Sequence, residues 1–139
     1  MIRLAPGAFQ HLESPRTMPY EQPAFEPPFR IMLLAAATDG WYAAPDEAAR
    51  ERLLQALTAW FRGWEDDGAT LLASFDDDLF LVGQPAPIAY SIYVLYEVAE
   101  LGLVVRRLAA LRAERDGVRL DAAFRVEARV GRPLFLLSL

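Results

Sequence analysis

The stretch "LASFDDDLFLVGQP" places three consecutive carboxylates, Asp76 to Asp78, between two short apolar runs. Three adjacent carboxylates repel one another and cannot all be buried without partners. They form a solvated turn, a metal or acid–base site, or the mouth of a pocket, depending on where the chain keeps its positive charge. A calcium loop is a poor match: it needs alternating oxygen ligands, a sixth-position glycine and a late glutamate, whereas counting from Asp76 the sixth residue is Leu81 and the twelfth Pro87. His11 is the single histidine and the chain has no cysteine. Thiolate or imidazole metal sites, haem ligation by a core histidine, and a Ser-His-Asp arrangement around Ser74, Ser91 or Thr70 therefore have no ligands or base, and no metal is expected. No glycine-rich phosphate cradle occurs, and no cofactor is expected. What remains is acid–base work by carboxylates and tyrosines in an apolar cavity, with Asp76, Asp78, Glu97, Glu127, Tyr90 and Tyr93 as the available groups.

Basic partners for the acidic run are sought among the arginines of "RVEARVGR". Arg125, Glu127 and Arg129 alternate there, and Asp76 or Asp78 is expected to pair with Arg129 or Arg132. The cluster either fixes strand register and the dimer or binds a substrate. Of the aromatic residues, Trp60 and Trp64 fall on the core stripe of a helix, so Trp41 and Tyr42, in "TDGWYAAP", are the better candidates to touch a flat ligand.

These residues need elements to hold them. A chain of 139 residues makes one domain with a real core. Hydrophobic residues make up 54%, yet no apolar run is long enough to span a membrane. Such a surplus is expected to be hidden at a subunit interface. The N-terminus lacks a basic patch followed by an apolar stretch, so no signal peptide is expected and the cytoplasm is the expected location. The net charge of −5 argues against nucleic acid as a partner. All fourteen basic residues are arginine, which codon bias explains better than function.

Residues 1–29 hold six of the ten prolines and read as an extended arm, distinct from a domain over 30–139. The arm is expected to pack on the domain through Phe9, Tyr20, Phe25 and Phe29. Beyond it, "RIMLLAAAT" is apolar on both alternating sets and reads as a strand buried on both faces. "APDEAARERLLQALTAWFRGWEDDG" is the clearest helix, with Leu53, Leu54, Leu57, Trp60, Phe61 and Trp64 at helical spacing. "TLLASF" and "IAYSIYVLYEV" read as strands, and "ELGLVVRRLAALRAE" as a helix with Leu101, Val104, Val105, Leu108 and Leu111 on one face. "RLDAAFRVEARV" alternates throughout as a last strand.

The order is α+β, β-α-β-β-α-β, the ferredoxin-like split unit, whose two helices cover one face of an antiparallel sheet. Its second face, carrying Met32, Leu34 and Ala36 and also Ala89, Tyr93 and Leu95, is apolar rather than wet. A second copy of the sheet would cover it, giving a homodimer arranged as a dimeric α+β barrel, with the apolar tail "PLFLLSL" in the same interface. The polar side of the last strand would then face the space between the sheets.

"FDDDLFLVG", "RVEARVGRPL" and the strand "SIYVLYEV" together resemble the IacB-like accessory proteins of indole-3-acetate degradation clusters, which belong to the dimeric α+β barrels. The similarity covers roughly residues 29–135. It implies Asp76, Asp77, Asp78, Gly83, Glu127, Arg129, Gly131 and Arg132 as site residues, and aromatic-compound metabolism as the context. The proline-rich arm departs from the compact family pattern. Two functions follow as expectations: a cofactor-independent monooxygenase-, isomerase- or cyclase-like enzyme on a small aromatic molecule, or a non-catalytic accessory protein that binds a ligand or a partner enzyme. Fold analogy alone does not choose between them.

Overall fold

The computed structural model describes residues 25–137. The proline-rich arm before residue 25, with its expected anchors Phe9 and Tyr20, lies outside them. Four strands form one antiparallel sheet, β1 (Phe29–Ala37), β2 (Thr70–Asp76), β3 (Ile92–Val98) and β4 (Phe124–Gly131), in the spatial order β2-β3-β1-β4. Two long helices, α2 (Glu47–Asp66) and α3 (Leu101–Ala110), and two single turns, α1 (Asp39–Tyr42) and α4 (Leu120–Ala123), complete it. The architecture is α+β and compatible with a ferredoxin-like fold. Among the described residues no helix is long and apolar enough to cross a membrane.

Helix α2 starts where Asp46 accepts a hydrogen bond from the Ala49 backbone N–H at 2.8 Å, so Pro45 precedes the helix rather than opening it. It ends at Asp66, two residues before Gly68, whose φ of 107° reverses the chain into β2. Leu57, Trp60 and Trp64 recur on its buried face. They pack on Ile31, Leu33, Val94, Tyr96 and Val98 of the sheet, together with Leu103 and Val104 of α3. Trp64 is fully buried and stacks on Tyr96 with ring centroids 5.1 Å apart, and the Tyr96 hydroxyl donates to the Phe61 carbonyl at 2.7 Å. Burial, and then the nearby Glu65 carboxylate, push the Tyr96 hydroxyl up to about 12.

The two long helices are tied by a reciprocal bond. Trp60 Nε1 donates to the Arg107 carbonyl at 2.7 Å, and Arg107 Nη2 donates to the Trp60 carbonyl at 2.6 Å. A side chain at position 63 would occupy the space of the Arg107 guanidinium, so Gly63 is what lets the arginine reach across.

Three readings change. The last strand begins at Phe124, because Leu120–Ala123 form a helical turn that Thr38 pins by a backbone bond to the Ala123 carbonyl at 2.9 Å. Helix α3 exposes Leu101 and Val105 and buries Leu103 instead. The third strand starts at Ile92, which leaves Ala89 in the preceding loop. Within the apolar tail, Phe135–Leu137 form a 3-10 turn.

Candidate functional site

Strand parity divides the sheet into two faces. Ile31, Leu33, Val94, Tyr96 and Val98 face the helices, which puts Met32, Leu34, Ala36, Tyr93 and Leu95 on the other side. The register places Leu34 between Tyr93 of β3 and Glu127 of β4, and Met32 between Leu95 and Arg129. Both long helices pack on the first face. The second therefore offers an apolar floor with the charged row of β4 along one side.

A band of polar groups crosses this face at the end of the sheet where β2 stops and β3 and β4 start. Tyr93 donates to the Asp77 carboxylate, and the Asp77 backbone N–H bonds the Ser91 carbonyl at 3.0 Å, extending the β2–β3 ladder by one step. From the β3 side Tyr90 reaches over the small Ala36, opposite which Arg125 stands on β4, so that Arg125 Nε donates to the Tyr90 hydroxyl at 2.8 Å. Arg125 Nη2 and Arg129 Nη2 then grip the two oxygens of Glu127 at 2.9 and 3.2 Å. The Tyr90 hydroxyl, and after it the Arg125 and Arg129 guanidiniums, hold the Glu127 carboxyl down at about 2. Burial, and then its bond to Glu127, raise the Tyr90 hydroxyl; the bond to Asp77, and then burial, raise that of Tyr93. Both tyrosines are thus protonated at neutral pH, and Glu127 is a carboxylate of low basicity.

The band unites Asp77, Tyr90, Tyr93, Arg125, Glu127 and Arg129 of the expected residues. Other candidates lie elsewhere. Asp76 and Asp78 are exposed, and neither has an arginine within ion-pair distance among the described residues. Their expected pairing with Arg129 or Arg132 fails because β2 and β4 are opposite edges of the sheet, three strand spacings or about 14 Å apart. Arg132 instead lies over the Phe25 ring at 4.8 Å, and Gly131 pairs with Arg30 at the far end of the sheet. Trp41 packs against Phe124 at 5.7 Å on the helix side, and Tyr42 is exposed. Gly83 sits in the β2–β3 loop with φ 103°. Among the described residues no cluster of histidine, cysteine or acidic side chains is placed to hold a metal ion.

No protein-family model, curated protein or solved structure matches this chain. Geometry alone therefore bears on the site. Among the described residues, hollows outside the band include a groove of 490 Å³ between α2 and β2, lined by Phe61, Leu71, Ser74 and Tyr96, and one of 700 Å³ beside α3, lined by Arg52, Arg107, Arg115 and Asp116.

Glu127 gives the site a pH signature. A carboxyl held below its ordinary 4.5 stabilises the fold fully above about pH 5, and that contribution is lost as pH falls toward about 2. Glu127→Gln is expected to cost about 1–3 kcal/mol at neutral pH, since it leaves two guanidiniums with a weaker partner. The gap between wild type and variant should close between pH 5 and pH 2, as read by urea denaturation at each pH. A gap that stays constant would place the carboxyl's titration outside the fold's energetics.

Proposed function

We propose that the chain is half of a dimeric α+β barrel of ferredoxin-like order in the cytoplasm, and that it binds a flat aromatic small molecule on the second face of its sheet. The observation that carries this reading is the band itself. An apolar floor of Met32, Leu34 and Leu95 ends in interlocked tyrosines, carboxylates and guanidiniums drawn from β2, β3 and β4 and the loop before β3. Ligand sites combine an apolar floor with a few convergent polar groups, and this face has both.

The chemistry open to such a site is acid–base and needs no cofactor. Tyr93 offers a protonated hydroxyl to a bound ligand, and Asp77, which accepts its hydrogen bond, orients it. Arg125 and Arg129 offer guanidinium charge to an oxygen that becomes negative during reaction. Glu127, with its low basicity, is a positioning residue that holds both arginines. Isomerase- or cyclase-like turnover of an aromatic substrate fits this set. Monooxygenase-like turnover would need dioxygen as oxidant and the substrate itself as the source of electrons. The resemblance to the IacB-like proteins supports an aromatic-compound context. A second reading, a non-catalytic accessory protein, is favoured by the exposed apolar stretch after β2.

Saturation-transfer NMR with indole-3-acetate, indole and phenol tests the binding step. Transfer to the aromatic protons is expected with wild type, and Tyr93→Phe or Arg125→Ala should weaken binding by about tenfold, close to 1.4 kcal/mol. No transfer from any of the three at millimolar ligand would overturn the aromatic reading. Binding without product after prolonged incubation would favour the accessory role.

A further inference from the structure

Among the described residues sixteen large apolar side chains are exposed, and eight of them lie between Leu71 and Ile88, in β2 and the loop that follows it. Within that loop Phe80 is 95% and Val82 102% exposed. Soluble proteins rarely leave such a concentration of apolar surface to water unless it meets a partner. Edge position adds to this. β2 is an outer strand of the sheet, and its sequence Thr-Leu-Leu-Ala-Ser-Phe-Asp contains no lysine, arginine or proline to blunt the edge.

Charge narrows the choice of occupant. Asp76, Asp77 and Asp78 directly precede Leu79–Val82, so an anionic lipid surface would be repelled. The loop is not helical either, which removes the usual amphipathic mode of lying on a membrane. A protein surface that fits must be apolar at its centre and basic at its margin. The second sheet face of this same chain has an apolar floor, with half-buried Met32 and Leu95 on either side of buried Leu34, and guanidiniums at its margins: Arg125 and Arg30, paired with Glu127 and Glu97, keep side chains 48% and 59% exposed.

We infer that the β2–β3 loop of one copy closes the sheet face of a second copy, seating Leu79–Val82 over the apolar floor with the aspartates toward the β4 arginines. This rests on the face-to-face dimer proposed above and gives that dimer's site a wall from its neighbour. In one chain the polar band lies on a surface; the second copy's loop turns it into an enclosed cavity. Each loop serves the other copy, so the contact is two-fold symmetric and closed. Asp77 stays bonded to Tyr93 of its own chain, and Asp76 and Asp78 face the second copy.

The chain lacks cysteine, so single thiols report the contact cleanly. Val82→Cys and Met32→Cys variants, mixed and allowed to exchange subunits, are treated with a short bis-maleimide linker. A covalent dimer containing one of each is expected, at higher yield than either variant gives alone. The double variant in a single chain should likewise yield covalent dimers. A cross-link confined to one chain would overturn the inference, because the loop would then lie on its own sheet. A dimer by light scattering with no cross-link between the two variants would overturn the loop contact alone and leave the dimer standing. A monomer at micromolar concentration would overturn both. Val82 is fully exposed and Met32 sits on the sheet surface, and wild-type melting temperatures of both variants are checked first; if Met32→Cys unfolds, Leu95→Cys replaces it on the same floor.

Discussion

Replacing Gly40 by alanine is expected to destabilise the protein by about 3 kcal/mol or more, although alanine is the better helix former and Gly40 sits in a helical turn. An added Cβ would overlap the Ala122 carbonyl oxygen and lie 2.7 Å from its carbonyl carbon. That carbonyl is backbone in α4, where Thr38 Oγ1 also donates to it at 3.3 Å, so it has little freedom to retreat. Relief would require α1 and α4 to separate and Trp41 to leave Phe124, the residue just before Arg125. The substitution should therefore loosen the polar band as well as the fold. Gly102→Ala is the control: only the end of the flexible Arg106 side chain approaches within 3.4 Å, and a gain of about 0.5–1 kcal/mol is expected for a helix glycine replaced by alanine. Equal effects of the two substitutions in chemical denaturation would refute the steric account of Gly40.

Trp64→Ala should cost about 3–5 kcal/mol, the range for emptying a buried aromatic site. Trp64 lies between Trp60, edge-on at 5.7 Å, and Tyr96, stacked at 5.1 Å, and joins α2 to β3 at the centre of the core. Its indole Nε1 is buried without a hydrogen-bond partner among the described residues. Trp64→Phe removes that unpaired donor while keeping a ring against Tyr96, so it should cost well under half as much as alanine. Urea denaturation of the three proteins decides this. If phenylalanine is as damaging as alanine, then ring volume rather than stacking holds the site, and the unpaired N–H carries no penalty.

Much of this architecture was legible in the sequence because it depends on local period. Alternation in "RIMLLAAA" and "IYVLYEV" correctly separates Ile31 and Leu33 from Met32 and Leu34, and Tyr96 from Tyr93. It also sends Arg125, Glu127 and Arg129 to one face. Alternation could not reveal that Leu120–Ala123 coil into a turn. Leu120 and Ala123 are both buried there, a spacing natural to a helix, and the contact that fixes them comes from Thr38, more than eighty residues away. In α3 the stripe of five apolar positions is broader than the face the sheet covers, and the sequence does not say that Leu101 and Val105 lie beyond it.

Asp77 shows where the site was nearly readable. Phe75 opposes Tyr93 in the β2–β3 ladder, and two residues on, at the same parity, stands Asp77. Parity therefore selects the middle aspartate for the Tyr93 face and leaves Asp76 and Asp78 for solvent. The missing information was the register, which depends on the irregularity between Leu71 and Ala73. Tyr90 lies two residues before the regular strand, where no period applies, and only its reach over Ala36 brings it to Arg125.

The strand order has one more consequence. It places Asp76–Asp78 beside one long edge of the sheet and Arg125 and Arg129 along the opposite one. The acidic run and the two arginines, whose charge Glu127 partly offsets, thus form a local dipole directed across the strands. Two such dipoles attract when antiparallel and repel when parallel, and the torque acts over roughly a Debye length, about 8 Å at physiological salt, before the surfaces touch. In the dimer proposed above, this torque would favour approaches in which the acidic edge of each copy lies over the basic edge of the other and would disfavour those with like edges together.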